Sequence, residues 1–171
     1  IPRQDLISSM REQILALQNI AEEKRVTLSH IKLHGALYND AEADDELAED
    51  LVQLIARDFS HLQILALANA AVERAAKKYQ HPVLREGFMD RRYLNDHRLS
   101  PRAMPGAVIE EFEQCLVQVL ALTRNEPFSS IEGAPLQFAV DSICLHGDNP
   151  RAESIAQDLR NALQRAGVRI C

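Results

Sequence analysis

The sequence predicts an α/β protein built on a mostly parallel sheet, and three observations carry that reading. Apolar residues at helical spacing alternate with short β-compatible runs along the whole chain. One run, Leu62 to Leu67, is almost wholly apolar, as in a strand covered on both faces. The polar clusters fall where the strands end, which is where parallel α/β folds place ligands.

Taken in order, Leu6, Ile7, Met10, Ile14, Leu17 and Ala21 recur at helical spacing, so Gln4 to Lys24 predicts an amphipathic helix. Val26 to Leu33 reads as a strand and runs into His34-Gly35. Asp44 or Asp45 caps a helix that reaches about Phe59, with Leu47, Leu51, Leu54 and Ile55 inward. The Leu62 to Leu67 strand, a short helix from Asn69 to Tyr79, and a strand from Pro82 to Phe88 follow. Met89 to Pro105 is a long polar loop, and loops of that length are usually functional or disordered. A helix is expected from Ala107 to Leu122, then a hairpin from Phe128 to Phe138 turning at Gly133-Ala134-Pro135. Ser142 to Leu145 is a strand ending at His146-Gly147-Asp148. Asn149 then caps a helix with Pro150 at its first position and Gly167 just past its end. Val168 to Cys171 opens one more strand. A barrel and an open doubly wound sheet both satisfy this alternation, and right-handed crossovers bring all the βα loops to one edge in either.

A chain of 171 residues predicts one domain, residues 1–171. Its 46% hydrophobic and 26% charged residues are those of an ordinary globular protein, with enough chain to bury a sizeable core. Lys and Arg number 19 against 25 Asp and Glu, and the net charge of -6 argues against a nucleic-acid partner. No apolar run approaches the ~18 residues of a membrane span. Cys115, Cys144 and Cys171 form no C-x-x-C pair, so a zinc ribbon or disulfide scaffold is not expected and a reducing cytoplasm fits. There is no signal-peptide pattern, and the chain opens at Ile1-Pro2 directly before a helix, as a piece of a longer protein would.

Three strand ends carry chemistry: Lys32 to Asn39, Arg85 to Tyr93, and Cys144 to Asp148. Each has a structural reading. A lone His34 at a strand end is more often hydrogen-bonded scaffold than catalyst. Gly35 and Gly147 let the backbone turn, Asp148 caps a helix, Cys144 fills the core, and Arg91-Arg92 is a solvated loop. Their convergence on one sheet edge favours a shared site instead. Histidine and carboxylate there suit general acid–base work near neutral pH, and arginine suits a small anionic substrate. His34, His146, Asp148, Glu86 and Asp90 are the available metal ligands, but none forms an H-x-x-x-H pair, so the metal stays unknown. No G-x-S-x-G, G-x-x-x-x-G-K or G-x-G-x-x-G occurs.

At these residues the sequence resembles the LamB/YcsF family. The matching blocks are Lys32-Leu33-His34-Gly35-Ala36-Leu37-Tyr38-Asn39, Glu86-Gly87-Phe88 with Asp90-Arg91-Arg92-Tyr93, Leu99 to Arg102, and Ser142 to Asp148 with Pro150, in that order. Leu33 stands where the family has proline. The family's opening D-x-N-x-D-x-G-E and H-A-G-D motifs are absent, so the likeness covers about the last two-thirds of a member. It implies a β/α barrel of the glycosidase and deacetylase type, here incomplete at its N-terminal side.

The resemblance also implies ATP-dependent opening of 5-oxo-L-proline to L-glutamate, with ATP as co-substrate handled together with two partner subunits. For such a reaction His34, His146 and Asp148 are the expected proton-handling residues. Arg91, Arg92 and Arg102 are expected to bind anionic groups, with Lys32, Asn39, Glu86, Asp90 and Tyr93 completing the substrate-binding set. This chain alone is expected to be poorly active, and unpaired sheet edges predict self-association or association with a missing fragment. Two other readings remain open: a metal-dependent carbohydrate-deacetylase-like hydrolase, and a non-catalytic interaction module.

Overall fold

The computed structural model describes residues 1–147 and 151–170. The chain forms two compact units, one of Ile1–Ala66 with Ala71–Val83, the other of Leu67–Ala70 with Leu84–Cys171.

The first unit begins with α1 (Arg3–Glu23). Where a strand is expected from Val26, the chain instead unwinds. Arg25 takes φ 55°, Val26 donates its N–H to Ala21 O at 2.8 Å to close the helix, and β1 forms only over His30–Lys32. Val26 is left 59% exposed, because a β-branched residue spent on a helix terminus has no ladder to join. A helix absent from the sequence reading, α2 (Gly35–Ala43), follows directly. Then α3 (Asp45–Asp58) is capped by Asp44, whose Oδ1 accepts the N–H groups of Glu46 and Leu47 at 3.0 Å. Those backbone contacts, and then Arg3 nearby, hold the Asp44 carboxyl below its usual range.

Leu47, Leu51, Leu54 and Ile55 all face inward as their spacing requires. They share the core with Ile64 of β2 (Gln63–Leu67) and with the alanines of α4 (Ala71–Lys78). β1 pairs with β2 in parallel, Ile31 opposite Ile64. Two of the unit's buried polar groups are spent on backbone: Glu42 accepts the Val72 N–H at the start of α4, and His81 Nε2 meets Leu62 O at 2.8 Å.

In the second unit β3 (Val83–Phe88) pairs in parallel with β6 (Ser142–Cys144), Gly87 opposite Ile143. Gly87 is closely packed, since a Cβ there would lie 3.0 Å from Val140 Cγ1 and 3.1 Å from Leu122 Cδ1, so those side chains would have to shift to admit one. The helix expected from Ala107 starts later, as α5 (Phe112–Arg124). Residues 107–109 are held extended because Ala107 O accepts from Arg92 N–H and Ile109 N–H donates to Asp90 O, both at 2.9 Å. The expected hairpin is present as β4 (Phe128–Ser129) and β5 (Pro135–Leu136), antiparallel, with Gly133 at φ 90° in its turn.

The last helix, α6 (Ala152–Arg165), begins with Arg151 at its N-cap, later than expected; Asn149 and Pro150 lie outside the described residues. It ends as predicted, with Gly167 at φ 77° and Val168 N–H returning to Leu163 O. Residues 168–170 form no strand. Val168 instead packs on the core of Met89, Ile109, Val119, Leu159 and Leu163, and that helix-closing bond has taken its N–H.

Candidate active site

Within each unit the polar clusters do sit at the carboxyl ends of parallel strands. In the first unit Lys32 ends β1, with its ammonium 5.8 Å from the centre of the Tyr38 ring. His34 follows as the N-cap of α2 with extended backbone, and its exposed side chain makes no capping hydrogen bond. Gly35 takes φ 62°, a conformation that a Cβ would strain. Asn39, on the next turn, donates to Gly35 O at 3.2 Å.

The second unit carries the denser arrangement. β3 delivers the chain into Met89–Arg92, and β6 delivers it into Leu145–His146. There the Nδ1 of His146 lies 2.9 Å from both carboxylate oxygens of Asp90. The imidazole packs against the Phe88 ring with centroids 5.7 Å apart. Both side chains are about three-quarters buried, at 23% and 24% exposure, so the pair is shielded yet reachable. Asp90 and His146 line a cleft of about 670 Å³ together with Arg91, Arg102, Cys115 and Arg151. Glu110, Glu111 and Glu113 also line it.

Arg91 is 6% exposed, and its guanidinium donates through Nη2 to Ser100 O. Its Nε is buried with no hydrogen-bond partner among the described residues. Burial, and then the charge of Arg102, lower its proton affinity below the usual arginine value. Arg91 and Arg102 together bring two guanidinium charges to the cleft wall, which suits an anionic group. Arg92 does not line the cleft; its side chain reaches Gln114 Oε1 at 3.4 Å.

Tyr93 is fully buried. Its hydroxyl accepts the Phe88 N–H at 2.7 Å, and its ring meets Phe128 and Phe138 edge-on at 5.5 and 5.4 Å. Burial raises its phenol pKa, so it stays protonated. Glu86 is likewise buried, on β3. The structure therefore brings together His146, Asp90, Arg91 and Arg102, and places Tyr93 and Arg92 outside that cleft. Asp148 lies outside the described residues.

The Met89 to Pro105 loop is ordered by groups the sequence did not single out. Gln118, on α5, donates to Phe88 O at 2.8 Å and to Arg91 O at 2.9 Å, and Ser100 Oγ donates to Arg92 O at 3.0 Å. A glutamine at an inward position of an otherwise apolar helix face was the available signal for the first. Cys115 touches the cleft but is no nucleophile, because burial pushes its thiol up to about 11. Among the described residues no group of three or more His, Cys, Asp and Glu could hold a metal ion, and no helix is long and apolar enough to cross a membrane.

A model of the LamB/YcsF family matches residues 1–171. The chain is similar to the 5-oxoprolinase A subunit of Neisseria meningitidis, 33% identical over 166 residues that cover 97% of this chain and 68% of that protein. It is 41% identical over 159 residues to the 5-oxoprolinase A subunit of Chloroflexus aggregans, covering 92% of this chain and 63% of that one. The crystal structure of the lactam utilization protein from Thermus thermophilus matches with a TM-score of 0.87 and 29% identity, over 99% of this chain and 68% of that one. The chain thus spans between 63% and 68% of the length of these three relatives.

Proposed function

We propose, on the premise that this chain belongs to the LamB/YcsF family, that it is part of the A subunit of a 5-oxoprolinase and opens the lactam of 5-oxo-L-proline to L-glutamate. One observation carries the reading: a histidine held by a carboxylate shares a cleft with a buried arginine and a second arginine. A lactam carbonyl resists water because its nitrogen lone pair is delocalised. Phosphoryl transfer from ATP to the carbonyl oxygen removes that resistance, and ATP is handled together with two partner subunits. What remains for this chain is to take a proton from the attacking water, return one to the ring nitrogen, and hold the substrate's anionic groups.

His146, His34 and Asp148 are the proton-handling residues of this proposal. Arg91 and Arg102 bind the carboxylate or phosphate. Lys32 and Asn39 flank His34 in sequence to position substrate, Tyr93 and Arg92 act from behind, supporting the loop that carries Arg91, and Glu86 completes the substrate-binding set. A cytoplasmic location is part of this proposal, since Cys115, Cys144 and Cys171 form no C-x-x-C pair.

The test uses the full-length protein with its partner subunits. Histidine-to-alanine substitution at 146 is expected to abolish most ATP-dependent glutamate release while leaving the circular dichroism spectrum unchanged. Wild-type turnover in that variant overturns the reading. Stoichiometric zinc in the purified protein, with deacetylation of an acylated sugar, would replace it by the deacetylase reading. If neither 5-oxoproline nor ATP shifts the melting temperature of the complex, the non-catalytic module gains instead, because a ligand of the native state must stabilise it.

A further inference from the structure

The sequence groups Asp90 with the substrate-binding residues. We infer instead that Asp90 is the positioning residue of His146, fixing the proton on Nδ1 so that Nε2 is the basic nitrogen offered to the cleft. The inference rests on the lactam-opening reading for its chemistry, but its geometry stands alone. An ionised carboxylate only accepts hydrogen bonds. With both oxygens 2.9 Å from Nδ1, that nitrogen must be the donor. A neutral imidazole has one protonated nitrogen, so Nε2 keeps its lone pair.

Two further contacts hold the arrangement. The Phe88 ring lies at an interplanar angle of 35° to the imidazole and limits its swing. The Asp90 backbone is pinned by the Ile109 N–H at 2.9 Å, which keeps the carboxylate from following a substrate into the cleft. No other side chain among the described residues hydrogen-bonds His146. In the proposed step Nε2 takes a proton from water as the water oxygen bonds to the activated carbonyl carbon. The imidazolium so formed is stabilised by Asp90 and can return that proton to the ring nitrogen as the carbon–nitrogen bond breaks, which leaves an acyl phosphate whose hydrolysis by a second water releases glutamate and inorganic phosphate.

The first measurement is the nitrogen NMR spectrum of His146 in the wild-type protein, at a pH where the ring is neutral. The protonated, pyrrole-type signal is expected at Nδ1 and the pyridine-type signal at Nε2. The reverse assignment overturns the inference without touching the functional reading. The second is Asp90→Asn, whose amide can donate to Nδ1 and so move the proton to Nε2. Reversal of the tautomer is expected, with kcat of the full-length complex falling by about 100-fold or more and KM nearly unchanged. Asp90→Glu is expected to recover part of the loss. A large rise in KM at constant kcat would return Asp90 to substrate binding and overturn the inference. If His146→Ala leaves turnover intact while the wild-type tautomer is as expected, the lactam-opening role fails and the positioning stands.

Discussion

The same dipeptide, His-Gly, ends a parallel strand in each unit, and the two copies are built differently. At His34-Gly35 the histidine is an exposed helix N-cap without a side-chain capping bond, and the glycine bends the chain at φ 62° into α2. At His146-Gly147 the imidazole is tied to a carboxylate in a cleft, and the glycine does not enter the left-handed region. A strand end fixes where a side chain emerges. What it does there depends on the groups brought to it by other segments, here the loop that follows β3.

The comparison can be broken most sharply at the histidines. In the full-length complex, His146→Ala should lower kcat by about 100-fold or more, as loss of a positioned acid–base group does. His34→Ala should cost on the order of tenfold, less than the ~100-fold low end for a positioned group, because no carboxylate among the described residues is seen to orient that ring. Steady-state kinetics on both variants decides it, and equal losses would erase the distinction.

The arginines give the next effect. Arg91→Lys keeps the charge but loses the planar fork, so KM should rise by about tenfold, roughly one charge-assisted contact. Arg92→Lys, outside the cleft, should leave KM unchanged. A shared rise in both would mean that the loop binds substrate as a diffuse charge.

Tyr93→Phe tests the scaffold behind those arginines. It removes the hydroxyl that accepts the buried Phe88 N–H and should cost about 0.5–1.5 kcal/mol, the worth of one hydrogen bond, in a denaturant titration.

The smallest effects separate the glycines. Gly35→Ala should cost about 1–2 kcal/mol for a Cβ in the left-handed region, whereas Gly147→Ala meets open space and should change stability by no more than about 0.5 kcal/mol. Thermal melts of the two variants check this, and equal shifts would contradict the assigned backbone difference.

Local pattern determined much of this protein. The inward stripe of α3, a cap at Asp44 or Asp45, the apolar β2 run, the Gly133 turn and the Gly167 helix end all follow from neighbours within a few residues, so spacing and turn chemistry reveal them. The same holds for the placing of Lys32, Asp90 and His146 at or just after strand ends, and for the motif blocks that marked the family. Tertiary structure decided the rest. Val26 reads as strand but serves a helix terminus, and 107–109 reads as helix but is drawn out by pairing with Asp90 and Arg92.

Arg91 and Arg92 are identical neighbours in sequence, yet one is buried against Ser100 at the cleft wall and the other leans on Gln114. Asp90 and His146 stand 56 residues apart, and no spacing rule relates them until β3 and β6 pair. Periodicity records which face of an element is buried. It carries no information about which distant polar group will satisfy a given hydrogen bond, and that is set only when the strands align and exclude water from the groups between them.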